Sequence, residues 1–228
     1  MHPRVEVRRV SGGLELRIDG TQASMHRPGR ALTGVVWWAL ASPILLLPRN
    51  RPRRVLLLGL AAGSVARALR VLDPEVEIVG VELNAEVLRL ARRHFDLDRL
   101  RIELVVGDAL AYLRRERRRF DLIVEDLFVG PSRTVRKPEW VAEDGYRLIR
   151  RHLRPGGYVV SNTIHETPAV VRAVRPLGGR VVSIEVRGHW NEVLVSGRDV
   201  PPPRAIRKAL AARPETSRIL ARIAVRRR

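Results

Sequence analysis

The segment 55–64, VLLLGLAAGS, constrains the fold more than any other part of the chain. A short continuous apolar run reads as a strand buried on both faces. Gly59 and Gly63 then read as a tight turn, and residues 64–72 as a helix. The same rhythm repeats downstream. Strands are predicted at 76–82, 101–108, 120–126 and 158–163, with helices at 85–94, 109–118, about 139–153 and 168–174. Pro155, Gly156 and Gly157 stop the helix before the fifth strand. Residues 180–186 and 192–196 read as a closing hairpin. Alternation of this kind predicts a mostly parallel sheet with right-handed crossovers and a helical layer on each face.

The flanks read differently. Residues 5–19 alternate apolar and polar on both sides of Ser11, Gly12 and Gly13, as in a hairpin, and GTQASM adds a third short strand. Residues 31–48 carry no charge, at the lower limit of a membrane span. Pro43 would break a spanning helix, so the segment reads as a buried helix followed by irregular apolar chain. The start, MHPRVEVRRVSGG, has no signal-peptide core, and the chain has no cysteine, which excludes thiolate nucleophiles and Cys-ligated metals. Both observations fit a cytoplasmic protein. After VPPPR come two short Arg-rich helices and a terminal RRR. The expected organisation is a β-hairpin element over 1–30, the α/β domain over 31–198 and a basic C-terminal tail over 199–228.

The net charge of +19, from 43 Lys+Arg against 24 Asp+Glu, attracts polyanions. The dominance of Arg, Ala, Leu, Val, Gly and Pro equally follows from biased base composition. The tail therefore reads either as a frayed or packed appendage or as a nucleic-acid arm.

In open α/β sheets ligands bind beyond the C-terminal ends of the strands. Three acids stand there: Glu82, Asp108 and Asp126. Glu82 lies 19 residues beyond Gly63 and suits both hydroxyls of a ribose, a device that NAD and S-adenosylmethionine sites share. Asp108 separates the two, because an acid after the third strand can accept the adenine amino group while Ala109 leaves room for the ring. The reading is an adenosyl-sulfonium cofactor. The candidate cofactor residues are Gln22, Gly59, Ala61, Gly63, Glu82, Leu83, Asp108 and Ala109, and the candidate catalytic residue is Asp126. Neither a metal cluster nor a Ser-His-Asp arrangement is evident. His165 reads as a substrate-facing or loop residue, His189 and Trp190 as turn residues, and Trp37 and Trp38 as core or dimer-contact residues.

Residues 53–95 and 101–128 resemble the spermidine synthase (polyamine aminopropyltransferase) family, and LELRIDGTQAS upstream resembles that family's N-terminal β-domain. The resemblance implies a three-layer α/β/α methyltransferase-like (Rossmann-like) fold with a seven-stranded sheet, a homodimer and a small-molecule substrate. It implies that Gln22 contacts the cofactor, that Glu82 holds the ribose, that Asp108 and Ala109 hold the adenine, and that Asp126 helps take a proton from an attacking amine. Three departures stand out. Ala62 replaces the loop aspartate that holds the aminopropyl ammonium, LTGVVWWA replaces a Tyr-His-Glu cluster, and Leu127, Phe128 and Val129 follow Asp126 where the family has a second acid before a proline. Free backbone N–H groups around Ala62 would suit the carboxylate of S-adenosylmethionine itself. The leading expectation is a transferase of alkyl groups, aminopropyl or methyl, using S-adenosylmethionine or its decarboxylated form. The alternatives are a methyltransferase on an acidic or nucleic-acid-associated substrate and a non-catalytic, basic nucleic-acid-binding protein on a degenerate transferase fold.

Overall fold

The computed structural model describes residues 3–30 and 34–228. Residues 31–33, where the apolar segment and the expected domain boundary begin, lie outside them. The chain opens with three antiparallel strands, β1 (Val5–Val10), β2 (Gly13–Ile18) and β3 (Thr21–His26), in the order β1-β2-β3. The hairpin read from the sequence is thus two sides of a three-stranded sheet. Helix α1 (Val35–Ala41) follows and passes into a 3-10 turn at Ser42–Leu46, where Pro43 cannot continue the α-helical bonding.

The α/β part then runs β4 (Arg54–Leu58), α2 (Ser64–Leu72), β5 (Glu77–Glu82), α3 (Ala85–His94), β6 (Ile102–Val106), α4 (Ala109–Arg115), β7 (Phe120–Glu125), α5 (Tyr146–Arg151), β8 (Leu153–Thr163), α6 (Thr167–Val174), β9 (Arg180–Val186) and β10 (Glu192–Gly197). The chain closes with α7 (Pro203–Ala211), a short α8 (Pro214–Ser217) and β11 (Ile223–Arg227). The large sheet has the order β11-β9-β10-β8-β7-β4-β5-β6. Strands β4 to β8 pair in parallel, while β10 runs antiparallel to β8 and β9, and β11 runs antiparallel to β9.

Two corrections to the sequence reading follow. The sheet has eight strands rather than seven, because the tail supplies β11. The segment after the prolines takes the packed form of the appendage reading: Ile206, Leu210, Ile219 and Ile223 are buried on the same face of the sheet as α1, α2 and α3. Burying an aliphatic side chain of this size contributes about 1.5–3 kcal/mol, which four such residues multiply. The helix expected over about 139–153 is also shorter. It begins as a π-turn at Val141–Gly145 and becomes α-helical only at Tyr146.

The layers follow from burial. One core packs α1, α2, α3, α7 and part of the N-terminal sheet on one face, and a second packs α4, α5 and α6 on the other. Strand β7 (FDLIVE) lies between them and is buried at every position. Among the described residues no helix is long and apolar enough to cross a membrane.

Candidate active site

Strand order reverses between β4 and β7, so the crevice opens beyond their C-terminal ends. Three backbone bonds align the strand ends side by side. Gly107 N–H donates to Glu82 C=O at 2.9 Å, Gly59 N–H to Val81 C=O at 3.1 Å, and Asp126 N–H to Leu58 C=O at 2.9 Å. The glycine turn, Glu82, Asp108 and Asp126 therefore share one edge of the sheet. Gly59 sits at φ +85°, and a Cβ there would lie 2.5 Å from the Asp126 carbonyl oxygen. Only glycine lets the β4 turn run this close to the backbone of β7.

Glu82 is nearly buried, and its carboxylate accepts from Ala61 N–H at 2.9 Å and from Asn84 N–H at 3.0 Å. Desolvation outweighs these bonds and pushes its pKa above the usual carboxylate value. The bond from Ala61 also holds that residue in the left-handed region, at φ +47°. Asp108 caps α4, its Oδ1 accepting from Ala111 N–H at 2.8 Å, and its side chain is exposed beside the buried Ala109. Leu83 and Val106, flanking this edge, are 67% and 58% exposed, an unusual placement for two large apolar side chains.

The loop's N–H groups correct one expectation. They are not free: Ala62 N–H donates to Ser24 Oγ at 2.9 Å, Ala61 N–H to Glu82, and Gly63 N–H to Leu60 C=O at 3.0 Å. Ser64 Oγ in turn bonds both the N–H and C=O of Met25. Strand β3 thus grips the glycine loop from above, and Ala62 is buried beneath it. Gln22, on the same strand, is exposed, and its amide donates to the Glu15 carboxylate at 2.7 Å. Burial opposes the ionised form of Glu15, but hydrogen bonds from Arg17 and Gln22 leave its pKa below the ordinary value.

Asp126 is partly buried at the end of β7. Asn162 Nδ2 donates to its Oδ1 at 2.8 Å, and Asn191 Nδ2 donates to Asn162 Oδ1 at 3.0 Å. Oδ2 has no partner among the described residues. Burial pushes the Asp126 pKa up to about 6, against the hydrogen bond from Asn162 and the charge of Lys137. Glu125 points to the opposite face, as strand alternation requires. There it is fully buried, bonded to Lys137 Nζ at 2.7 Å and to the Tyr146 hydroxyl at 3.0 Å.

The loop from Asp126 to Lys137 closes on itself and on the N-terminal sheet. Val129 and Arg136 exchange two backbone bonds, Lys137 Nζ lies 4.6 Å from the Phe128 ring centroid, and Ser132 N–H donates to Asp19 C=O. Sequence reasoning missed Ser24, Lys137, Asn162 and Asn191. Only Lys137 carried a signal: it is one of two lysines among 43 basic residues. His165 is exposed, and Trp190, next to Asn191, is 84% exposed.

The fold and the site define the class, a class I methyltransferase-like α/β fold, and residues 55–157 match the methyltransferase-domain family. Within that class the chain is similar to polyamine aminopropyltransferases. It is 31% identical over 156 residues to polyamine aminopropyltransferase 2 of Hyperthermus butylicus, covering 64% of this chain and 50% of that protein. The chain therefore spans about half the length of this curated relative. The crystal structure of a probable spermidine synthase from Corynebacterium glutamicum superposes with a TM-score of 0.79 at 20% identity, over 99% of this chain and 88% of that one. A spermidine synthase in complex with the transition-state analogue AdoDATO superposes with a TM-score of 0.62 at 18% identity, over 86% and 70%.

Proposed function

We propose that the chain is a transferase that binds S-adenosylmethionine, or its decarboxylated form, and passes an alkyl group to a nucleophile, with Asp126 as the base. The observation that carries this reading is the row of carboxylates at adjoining strand ends beside the glycine turn. Glu82 would hold the ribose hydroxyls, because each of its oxygens can accept more bonds than the backbone supplies. Asp108 would accept the adenine amino group through the oxygen not used in capping α4, with Leu83 and Val106 offering apolar surface for the ring. Gly59, Ala61 and Gly63 would line the sulfonium side and Ala109 the adenine side. Gln22 would face the cofactor across β3.

Bound there, the cofactor supplies an electrophilic carbon on a sulfonium, whose departure as a neutral thioether needs no general acid. As the nucleophile's electron pair took that carbon from the sulfur, its proton would pass to Asp126 Oδ2. A carboxyl with a pKa of about 6 is ionised at neutral pH and accepts that proton readily. Asn162, backed by Asn191, fixes the other oxygen, so the free one keeps its aim.

Electrostatics favours an acceptor other than a polyamine, and S-adenosylmethionine over the decarboxylated form. Ala62 is buried where the resemblance expects an acid, Leu127, Phe128 and Val129 supply no second one, and Lys137 neutralises Glu125. A +19 chain repels a polycation at long range. Calorimetric titration with both cofactors tests the reading. Binding of S-adenosylmethionine that Glu82→Gln weakens supports it. Clear preference for the decarboxylated cofactor sinks the finer claim, and no binding of either sinks the whole.

A further inference from the structure

Beyond the candidate active site, the opposite ends of the strands hold a second feature. Strand β9 begins there, and β10 and β11, running antiparallel to it, end there. Arg180 pairs with Gly197 and Arg227 with Val182, while Arg175 comes from the turn after α6 and Arg198 follows β10. Together with Arg228 they supply five of the seven residues lining a cleft of about 600 Å³, and no acid lines it. The floor is backbone, since a Cβ on Gly179 would lie 2.2 Å from the Gly197 carbonyl oxygen.

Not every guanidinium is available. Arg228 turns back along the sheet onto Glu185 and Glu192, and Arg180 donates to Val200 C=O. Arg175, Arg198 and Arg227 are exposed and make no ion pair among the described residues. Arg150 donates to the Leu177 and Gly178 carbonyls beside them, and burial together with the charge of Arg198 lowers its pKa. Arg118, by contrast, bonds Glu103 through both terminal nitrogens and also reaches Glu116. At the cleft, unpaired cations from separate segments converge, at an electrostatic cost that a bound polyanion would relieve.

We propose that this cleft is a second binding site, for a linear chain of three or more phosphates. Guanidinium forks match phosphate oxygens bidentately. A volume of about 600 Å³ accommodates a small ligand. The lining holds arginine, glycine and valine, with no aromatic ring to stack a base and no amide to read one. Phosphate alone is therefore recognised, and inorganic polyphosphate or the triphosphate of a nucleotide presents the same chemistry. The inference does not rest on the function proposed above.

Calorimetry on the full chain with sodium tripolyphosphate, ATP, orthophosphate and a single-stranded oligonucleotide tests it, at roughly physiological salt so that diffuse attraction is screened. Tripolyphosphate should bind at least about tenfold more tightly than orthophosphate, and Arg175→Ala/Arg198→Ala/Arg227→Ala should weaken it at least about tenfold. The charge-matched Arg114→Ala/Arg117→Ala/Arg119→Ala, on an exposed basic run with no such cleft, should change it less than about twofold. The triple Lys variant of the cleft keeps the charge and should still lose several-fold, because the fork is gone. ATP binding as tightly as tripolyphosphate assigns the triphosphate source, and weaker ATP binding the inorganic one. Equal losses in the cleft and control variants, absence of tripolyphosphate binding, or tighter binding of the oligonucleotide would overturn the proposal.

Discussion

In the proposed role Asp126 would meet two opposed demands, ionisation for proton transfer and burial for electrostatic effect. Its pKa, raised from 3.8 to about 6, is the compromise. Alkyl transfer should need the ionised form, so the rate falls as pH drops below about 6. Asp126→Asn should lose that limb and reduce the rate by about 10²–10⁴-fold. Stability carries the opposite signature. A carboxyl whose folded-state pKa exceeds its unfolded one binds its proton more tightly in the native state, so its contribution to stability falls as pH rises from about 4 to about 6. Asp126→Asn should therefore raise the melting temperature more at about pH 7.5 than at about pH 4, which a pair of thermal melts would read. The neighbouring Glu125–Lys137 pair is fully enclosed. Lys137→Met alone strands a buried charge and should cost about 3–5 kcal/mol in urea unfolding, and adding Glu125→Gln should recover part of that. Asp126 and Glu125 were legible as residues on opposite faces of one strand. The partner of each, Asn162 and Lys137, was not, because both pairings join distant segments.

At the scale of elements, the glycine loop and β3 behave as one unit. The loop's shape depends on Ser24 Oγ, Glu82 and the close approach of Gly59 to Asp126. Ser24→Ala would leave the Ala62 N–H unsatisfied in a buried place, at about 1–3 kcal/mol, measurable by denaturation. If the loop forms part of the cofactor site, the same variant weakens cofactor binding as well. Gly59→Ala should be the harsher change, since it adds both a left-handed φ and a clash with backbone that cannot move aside. The periodicity of the sequence placed the loop correctly between strand and helix. It could not report who occupies the loop's donors, since hydrogen-bond partners from a separate sheet leave no trace in local pattern.

For the molecule as a whole, the row of Glu82, Asp108 and Asp126 lies at one end of the large sheet and the arginine-lined cleft at the other. The C-terminal segment joins them into one structure, since β11 covers the edge of β9 and presents Arg226 and Arg227 at the new edge, which discourages further strand pairing. Truncation after Pro201 should expose the β9 edge and uncover the apolar surface under Ile206, Leu210, Ile219 and Ile223. A large loss of soluble, cooperatively melting protein is the expected result, and unchanged melting would contradict this packing.

The sequence by itself determined the alternation of strands and helices, the glycine turn, and the placement of Glu82, Asp108 and Asp126 at strand ends. These are local properties, set by periods of two and 3.6 residues and by where apolar runs stop. Tertiary structure decided the rest: that the tail becomes a strand, that β3 occupies the loop's N–H groups, that Asn162 aims Asp126, and that arginines far apart in the chain line one cleft. Each depends on contacts between segments many residues apart, whose energies come from burial and pairing rather than from any local pattern.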